Sequence, residues 1–144
     1  MQRYRPGSTM IEYRTNVDVH LDDVIELYVD STLGERRPVG DRDRMERMLS
    51  GANLIITAWE GDALVGISRC ITDWAYCTYL SDLAVRLDHQ QQGIGKELVR
   101  LTREAAPEAT VILLAAPKAV DYYPRIGMSR HESAWVLWPG ETPI

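Results

Sequence analysis

Apolar and polar residues along the chain change period several times, and each change marks an element. Residues 11–15 (IEYRT) read as a first strand, and Leu21, Val24, Ile25 and Tyr28 then recur at helical spacing, with Asp18 placed to cap that helix. A second helix is predicted near residues 41–49. Residues 53–71 hold two strand patterns around Glu60, Gly61 and Asp62, which predicts a hairpin. Residues 75–85, rich in aromatic and β-branched side chains, read as a further strand. Ile94, Leu98, Leu101 and Ala105 form the stripe of an amphipathic helix, and the almost unbroken apolar run 110–116 reads as a buried strand. Pro124 limits any helix around it to a turn or two, or bends it. Residues 133–139 (SAWVLWP) supply at least one final strand. These patterns add up to an α/β fold: a mixed, mostly antiparallel sheet of six or seven strands flanked by four helices.

The order of strand, polar loop, helix and buried strand between residues 75 and 116 carries the first functional signal. Two strands joined by one crossover helix are parallel, and the loop between them lies at the carboxyl end of the first, where open α/β sheets bind ligands. That loop holds Gly93 and Gly95 at the start of the helix. The first amides of a helix lack internal partners and sit at its positive end, so they suit a phosphate, although glycines there also serve a tight loop with no ligand. A Walker loop fails because Gln90 and Glu97 stand where glycine and Ser or Thr are needed. A dinucleotide fingerprint fails because Leu98 replaces its third glycine.

The motif "LSDLAVRLDHQQQGIGKEL" resembles the acyl-CoA-binding core of the GNAT family of acetyltransferases, with Gln90, Gly93 and Gly95 filling its R/Q-x-x-G-x-G/A signature. Leu83, Ala84 and Val85 match the triplet that ends the preceding strand. "AVDYYPRIGM" is similar to the family's closing element, with Tyr122, Tyr123, Arg125, Gly127 and Met128 at matching positions. The resemblance spans about residues 52 to 138. Two positions depart from it: Gln91 stands where many members have glycine, and Ala116 where many have an asparagine that contacts the cofactor.

The resemblance implies an N-acetyltransferase that moves the acetyl group of acetyl-CoA directly onto a primary amine of a small molecule or peptide, through a tetrahedral intermediate. It places coenzyme A against Leu83, Ala84, Val85, Gln90, Gln91, Gln92, Gly93, Ile94, Gly95 and Lys96, and makes Tyr123 the general acid for the departing thiolate. A backbone N–H of residues 83–85 is the natural donor to the thioester carbonyl. No base is assigned. In several members a glutamate four residues before the triplet serves, and here that residue is Tyr79. Strand alternation turns Asp82 away from Tyr79, Ser81 and Leu83, which reads Asp82 as structural and leaves a water held by Tyr79 and Ser81. Tyr28, Trp74, Tyr79 and Ser81 are the candidates for the acceptor pocket.

Composition narrows the picture further. A net charge of −5 opposes general nucleic-acid binding, while Lys96, Arg100 and Arg103 could still meet phosphates locally or simply form a solvated helix face with Glu97 and Glu104. Residues 10–139 are expected to form a single domain between a disordered 1–9 segment and a short 140–144 tail. No run approaches the length of about 20 apolar residues that spans a bilayer, and the first residues do not resemble a signal peptide, so a cytoplasmic protein without membrane partners is expected. Cys70 and Cys77 are then buried free thiols, and the scattered His20, His89 and His131 suggest no metal site. A homodimer is left open. Two other readings compete with the enzyme: an acyl-CoA-binding sensor that regulates a partner, and an interaction domain whose glycines are structural.

Overall fold

The computed structural model describes residues 10–144, so the 1–9 segment lies outside the described residues. The elements run β1 (Ile11–Thr15), α1 (Leu21–Asp30), α2 (Arg42–Gly51), β2 (Leu54–Glu60), β3 (Ala63–Thr72), β4 (Cys77–Val85), α3 (Ile94–Ala105), β5 (Thr110–Ile112) and α4 (Tyr122–Arg125). Three short 3-10 turns interleave with them, at Leu33–Arg36, Leu87–His89 and Pro117–Ala119. The described residues divide into two compact units, one ending at Leu113 and the other running from Leu114 to Ile144.

The first unit holds a five-stranded sheet in the order β1-β2-β3-β4-β5, antiparallel except for the parallel β4–β5 pair. Each face of this sheet has its own core. Val24, Leu27 and Tyr28 of α1 and Met45 of α2 pack with Trp59, Leu64, Ile67 and Ala84. On the other face Ile94 and Leu98 of α3 pack with Leu54, Ile56, Ala58, Val65, Cys70 and Leu80. Burying a side chain such as Leu98 contributes about 1.5–3 kcal/mol, and Val99, Leu101 and Ala105 add partly buried surface to the same seat. Gly66 sets how closely α3 lies: a Cβ there would come within 3.1 Å of Leu98 and 3.2 Å of Ile94.

Several boundaries differ from the sequence pattern. Helix α1 begins after His20, with no side-chain cap, rather than at Asp18. Its start is governed by the need to bury Val24, Leu27 and Tyr28, while Asp22 and Asp23 in the first turn favour the helix dipole. By contrast, Asp41 does cap α2, accepting from the Arg44 amide at 3.1 Å. The apolar run 110–116 forms only a three-residue β5, because its ladder with β4 ends at the Tyr79–Ile112 pair. Cys70 is buried as expected, but Cys77 is exposed at the start of β4, and both are free thiols.

The second unit contains α4, a single turn as Pro124 requires. Proline is tolerated there because it lies in the first turn, where a backbone N–H has no helical acceptor. Gly127, at φ +94°, ends the turn in the left-handed conformation, and the Met128 amide donates back to the Tyr123 carbonyl at 3.1 Å. The expected strand at residues 133–139 is absent, so the described residues hold five strands rather than six or seven. A strand needs a ladder partner, and this unit offers no second one. Trp135 is accordingly 93% exposed and Trp138 63% exposed. Among the described residues no helix is long and apolar enough to cross a membrane.

Candidate active site

Strand β4 is irregular where the candidate site begins. Arg69 of β3 pairs with Asp82 and Cys70 pairs with Leu80, so Ser81 has no opposite residue and forms a bulge. The bulge reverses the alternation. Leu80 belongs to the α3-side core and Leu83 and Val85 pack against it, whereas Asp82 and Ala84 face α1. Asp82 thus points away from Leu83 as expected, but Tyr79, which opposes Leu80, shares the Asp82 face, and the Ser81 hydroxyl reaches Asp82 at 3.3 Å. A strict two-residue period could not anticipate a bulge.

The same strand exposes donors along its open edge. The Arg86 amide donates to the Val65 carbonyl at 2.9 Å, and ladder alternation turns the Asp82 and Ala84 amides towards β3 as well. The amides of Leu83 and Val85 therefore face the opposite edge, beyond the point where pairing with β5 stops at Tyr79. Two N–H groups aimed into a splayed edge suit an extended ligand that carries carbonyl groups.

Asp82 is fully buried and held by four donors. Oδ2 accepts from the Tyr28 hydroxyl at 2.7 Å and from Arg69 Nε at 2.5 Å, while Oδ1 accepts from Arg37 Nε at 2.6 Å and from Ser81. Burial alone would raise its pKa, but the Arg69, Tyr28 and Arg37 donors outweigh burial and hold the carboxyl below its ordinary range. Burial and the adjacent carboxylate push the Tyr28 phenol well above its usual value. Tyr28, an expected pocket residue, is fully buried and lies within this network instead of lining an open surface. Sequence reading passed over Arg37 and Arg69; the one available signal was an arginine in the apolar β3 pattern.

Downstream of β4 the chain turns through the glycine loop. Gln90 donates from Nε2 to the Val85 carbonyl at 3.0 Å, which ties the loop to the strand end. Gln92 reaches the Asp88 carbonyl at 3.4 Å. His89 is held between Asp88 at 2.6 Å and Glu60 of the β2–β3 hairpin at 2.7 Å. Gln91 has φ +63°, a left-handed conformation that glycine would adopt without strain. Gly93 has φ +82° and is the N-cap of α3, with no side chain closing the helix start. The amides of Ile94, Gly95 and Lys96 precede the first helical bond, which runs from Glu97 to the Gly93 carbonyl. This is a cradle of free amides at the positive end of a dipole, and it fits a diphosphate.

Of the three basic residues on α3, Lys96 is exposed and makes no ion pair among the described residues. Arg100 pairs with Glu97 and Glu104, the solvated-face arrangement, and Arg103 donates to the Ala109 carbonyl. Trp74 is 46% exposed in the β3–β4 turn and Tyr79 40% exposed on β4, while the Ser81 hydroxyl also accepts from Arg69 at 2.9 Å. In the second unit, Tyr122 and Tyr123 stack edge to face with ring centroids 5.3 Å apart, and burial raises the Tyr122 phenol.

A family model described as an acetyltransferase (GNAT) domain matches residues 35–136, well over half of the chain. The chain belongs to the GNAT acetyltransferase family. A GNAT-family acetyltransferase of Streptococcus pneumoniae is 29% identical, with a TM-score of 0.74 over 90% of this chain and 97% of that one. An aminoglycoside N-acetyltransferase in complex with CoA shares the GNAT fold, with a TM-score of 0.70, 13% identity, and coverage of 94% of this chain and 98% of that one. A curated relative, an uncharacterized N-acetyltransferase of Prochlorococcus marinus, is 28% identical over 81% of this chain. This GNAT chain spans 64% of that relative's length.

Proposed function

We propose that this protein transfers the acetyl group of acetyl-CoA to a primary amine of a small molecule or peptide. The observation that carries the reading is the uncapped start of α3 behind a left-handed Gly93, reached directly from the open edge of β4. Bound there, acetyl-CoA would supply an activated thioester. The amides of Ile94, Gly95 and Lys96 would hold its diphosphate, with the Lys96 ammonium beside them, and Gln90, Gln91 and Gln92 would shape the loop around it. The Leu83 and Val85 amides, with Ala84 between them, would hold the arm and donate to the carbonyl oxygen as it gains charge. In this reading Tyr123 protonates the departing thiolate, and both compact units belong to one catalytic domain, as the span of the family model supports. Trp74, Tyr79 and Ser81 contribute to the amine side.

An alkyl amine with a pKa near about 10.4 must shed a proton before it attacks. Asp82 does not serve as its base, because that carboxylate is buried and already accepts four hydrogen bonds. The same fact favours the second reading, a non-catalytic acyl-CoA sensor. A panel of primary amines, assayed by thiol release from acetyl-CoA with mass detection of the acetylated product, separates the two. The transferase reading expects amine-dependent thiol release matched by product. Acetyl-CoA binding with no release above the amine-free rate for any amine supports the sensor.

A further inference from the structure

We propose that Arg37, in the segment between α1 and α2, is a positioning residue that sets the carbonyl-binding edge of β4. The inference rests on the transferase reading above and adds a residue to it. Tyr28 and Arg69 both bind Oδ2 of Asp82, which without Arg37 would leave Oδ1 with only the long 3.3 Å bond from the Ser81 hydroxyl. Arg37 takes the other oxygen through Nε at 2.6 Å, and its Nη2 donates to the Ser81 backbone carbonyl at 2.7 Å. That carbonyl belongs to the bulge residue itself, two positions before the Leu83 amide.

A bulge peptide is free of the regular ladder, so its plane is fixed by whatever else binds it. Here one guanidinium clamps both the Ser81 carbonyl and the Asp82 carboxylate, which fixes the peptide plane between Ser81 and Asp82 and hence the direction of the next free amide. Arg37 is itself well held: Nη1 donates to the Arg36 carbonyl at 2.8 Å, and its side chain is 22% exposed. The segment it anchors is folded back on α1, where a Cβ on Gly34 would lie 3.2 Å from the Tyr28 carbonyl oxygen and from Val29. Arg69 braces the opposite side by donating to the Met48 carbonyl of α2 at 3.1 Å. Small displacements of a donor matter here, because an error of about 1 Å in a reacting geometry can cost about 100-fold in rate.

Lysine cannot reproduce this clamp, since one ammonium lacks the planar fork that binds two acceptors in fixed directions. Arg37→Ala and Arg37→Lys should each lower kcat with the best amine at least tenfold, weaken acetyl-CoA by a clearly smaller factor because the phosphate cradle at the start of α3 is untouched, and keep a cooperative unfolding transition. Methylguanidinium added to Arg37→Ala should restore part of the lost rate, which a general loss of folding would not allow. Amide exchange reads the coupling without turnover: in both variants residues 31–41 and the Ser81–Asp82 peptide should exchange faster while α3 is unchanged. A parent that binds acetyl-CoA but acetylates no amine overturns the transferase reading and leaves the exchange result to decide the coupling. A kcat within twofold of the parent, a parallel loss of acetyl-CoA affinity, or unchanged exchange at Ser81 and Asp82 overturns the role of Arg37.

Discussion

Tyr123 carries the sharpest expectation at the scale of single residues. It lies beside Tyr122 with the two rings packed edge to face, so Tyr123→Phe removes a hydroxyl and keeps the packing. If it is the general acid, turnover should fall by about 100-fold or more with acetyl-CoA affinity nearly unchanged, because lost acid catalysis costs that much in rate. Tyr122→Phe is the control, since adjacent helical positions point about 100° apart. Steady-state kinetics on both variants decides: an unimpaired Tyr123→Phe with a crippled Tyr122→Phe moves the role one residue back. A candidate of this kind is named from the sequence by residue type at fixed spacing, and its role is what the kinetics test. The polar network could not be named in this way. Asp82, Arg37 and Arg69 lie far apart along the chain and meet only once β4 bulges, and no local period announces a bulge.

Elements obey the same division. The α3 stripe, the β2–β3 hairpin and the one-turn α4 follow from apolar spacing and from proline, whereas the length of β5 is set by its pairing with β4, which stops at Tyr79 and Ile112. The turn at Leu87–His89 owes its place to His89, which bridges it to the β2–β3 hairpin through Glu60. Burial opposes charge on His89, but Asp88 and Glu60 outweigh it and raise its pKa. A raised pKa means that this stabilisation is fully present below the unfolded value of about 6.5 and is lost as pH rises through the folded value. The melting-temperature gap between the parent and His89→Gln should therefore be widest below about pH 6.5 and narrow as pH rises above it. A gap that widens with pH would mean that His89 is held neutral. At the start of α3, Lys96→Ala should weaken CoA more than a CoA fragment lacking its phosphates, and more so at low salt. Equal weakening of both ligands by calorimetry would place Lys96 away from the anion.

For the whole molecule, the fold class and the parallel β4–β5 pair were legible because both follow from element order. The strand count was not, since residues 133–139 carry a strand pattern yet have no ladder partner in their unit. The central claim is that the chain carries an acetyl-CoA site built on the free amides of the β4 edge and the α3 start. Its most direct test is the melting temperature as a function of acetyl-CoA concentration, for the parent and for Gly93→Val. A ligand that binds only the folded state adds about 2.7 kcal/mol of stability at a hundredfold excess over its Kd. The parent should show a concentration-dependent rise with acetyl-CoA and CoA and far less with ATP or NAD. Gly93→Val, strained at a φ of +82° but facing open space, should unfold cooperatively and show no shift. A parent unmoved by acetyl-CoA, or a folded Gly93→Val that responds like the parent, contradicts the account.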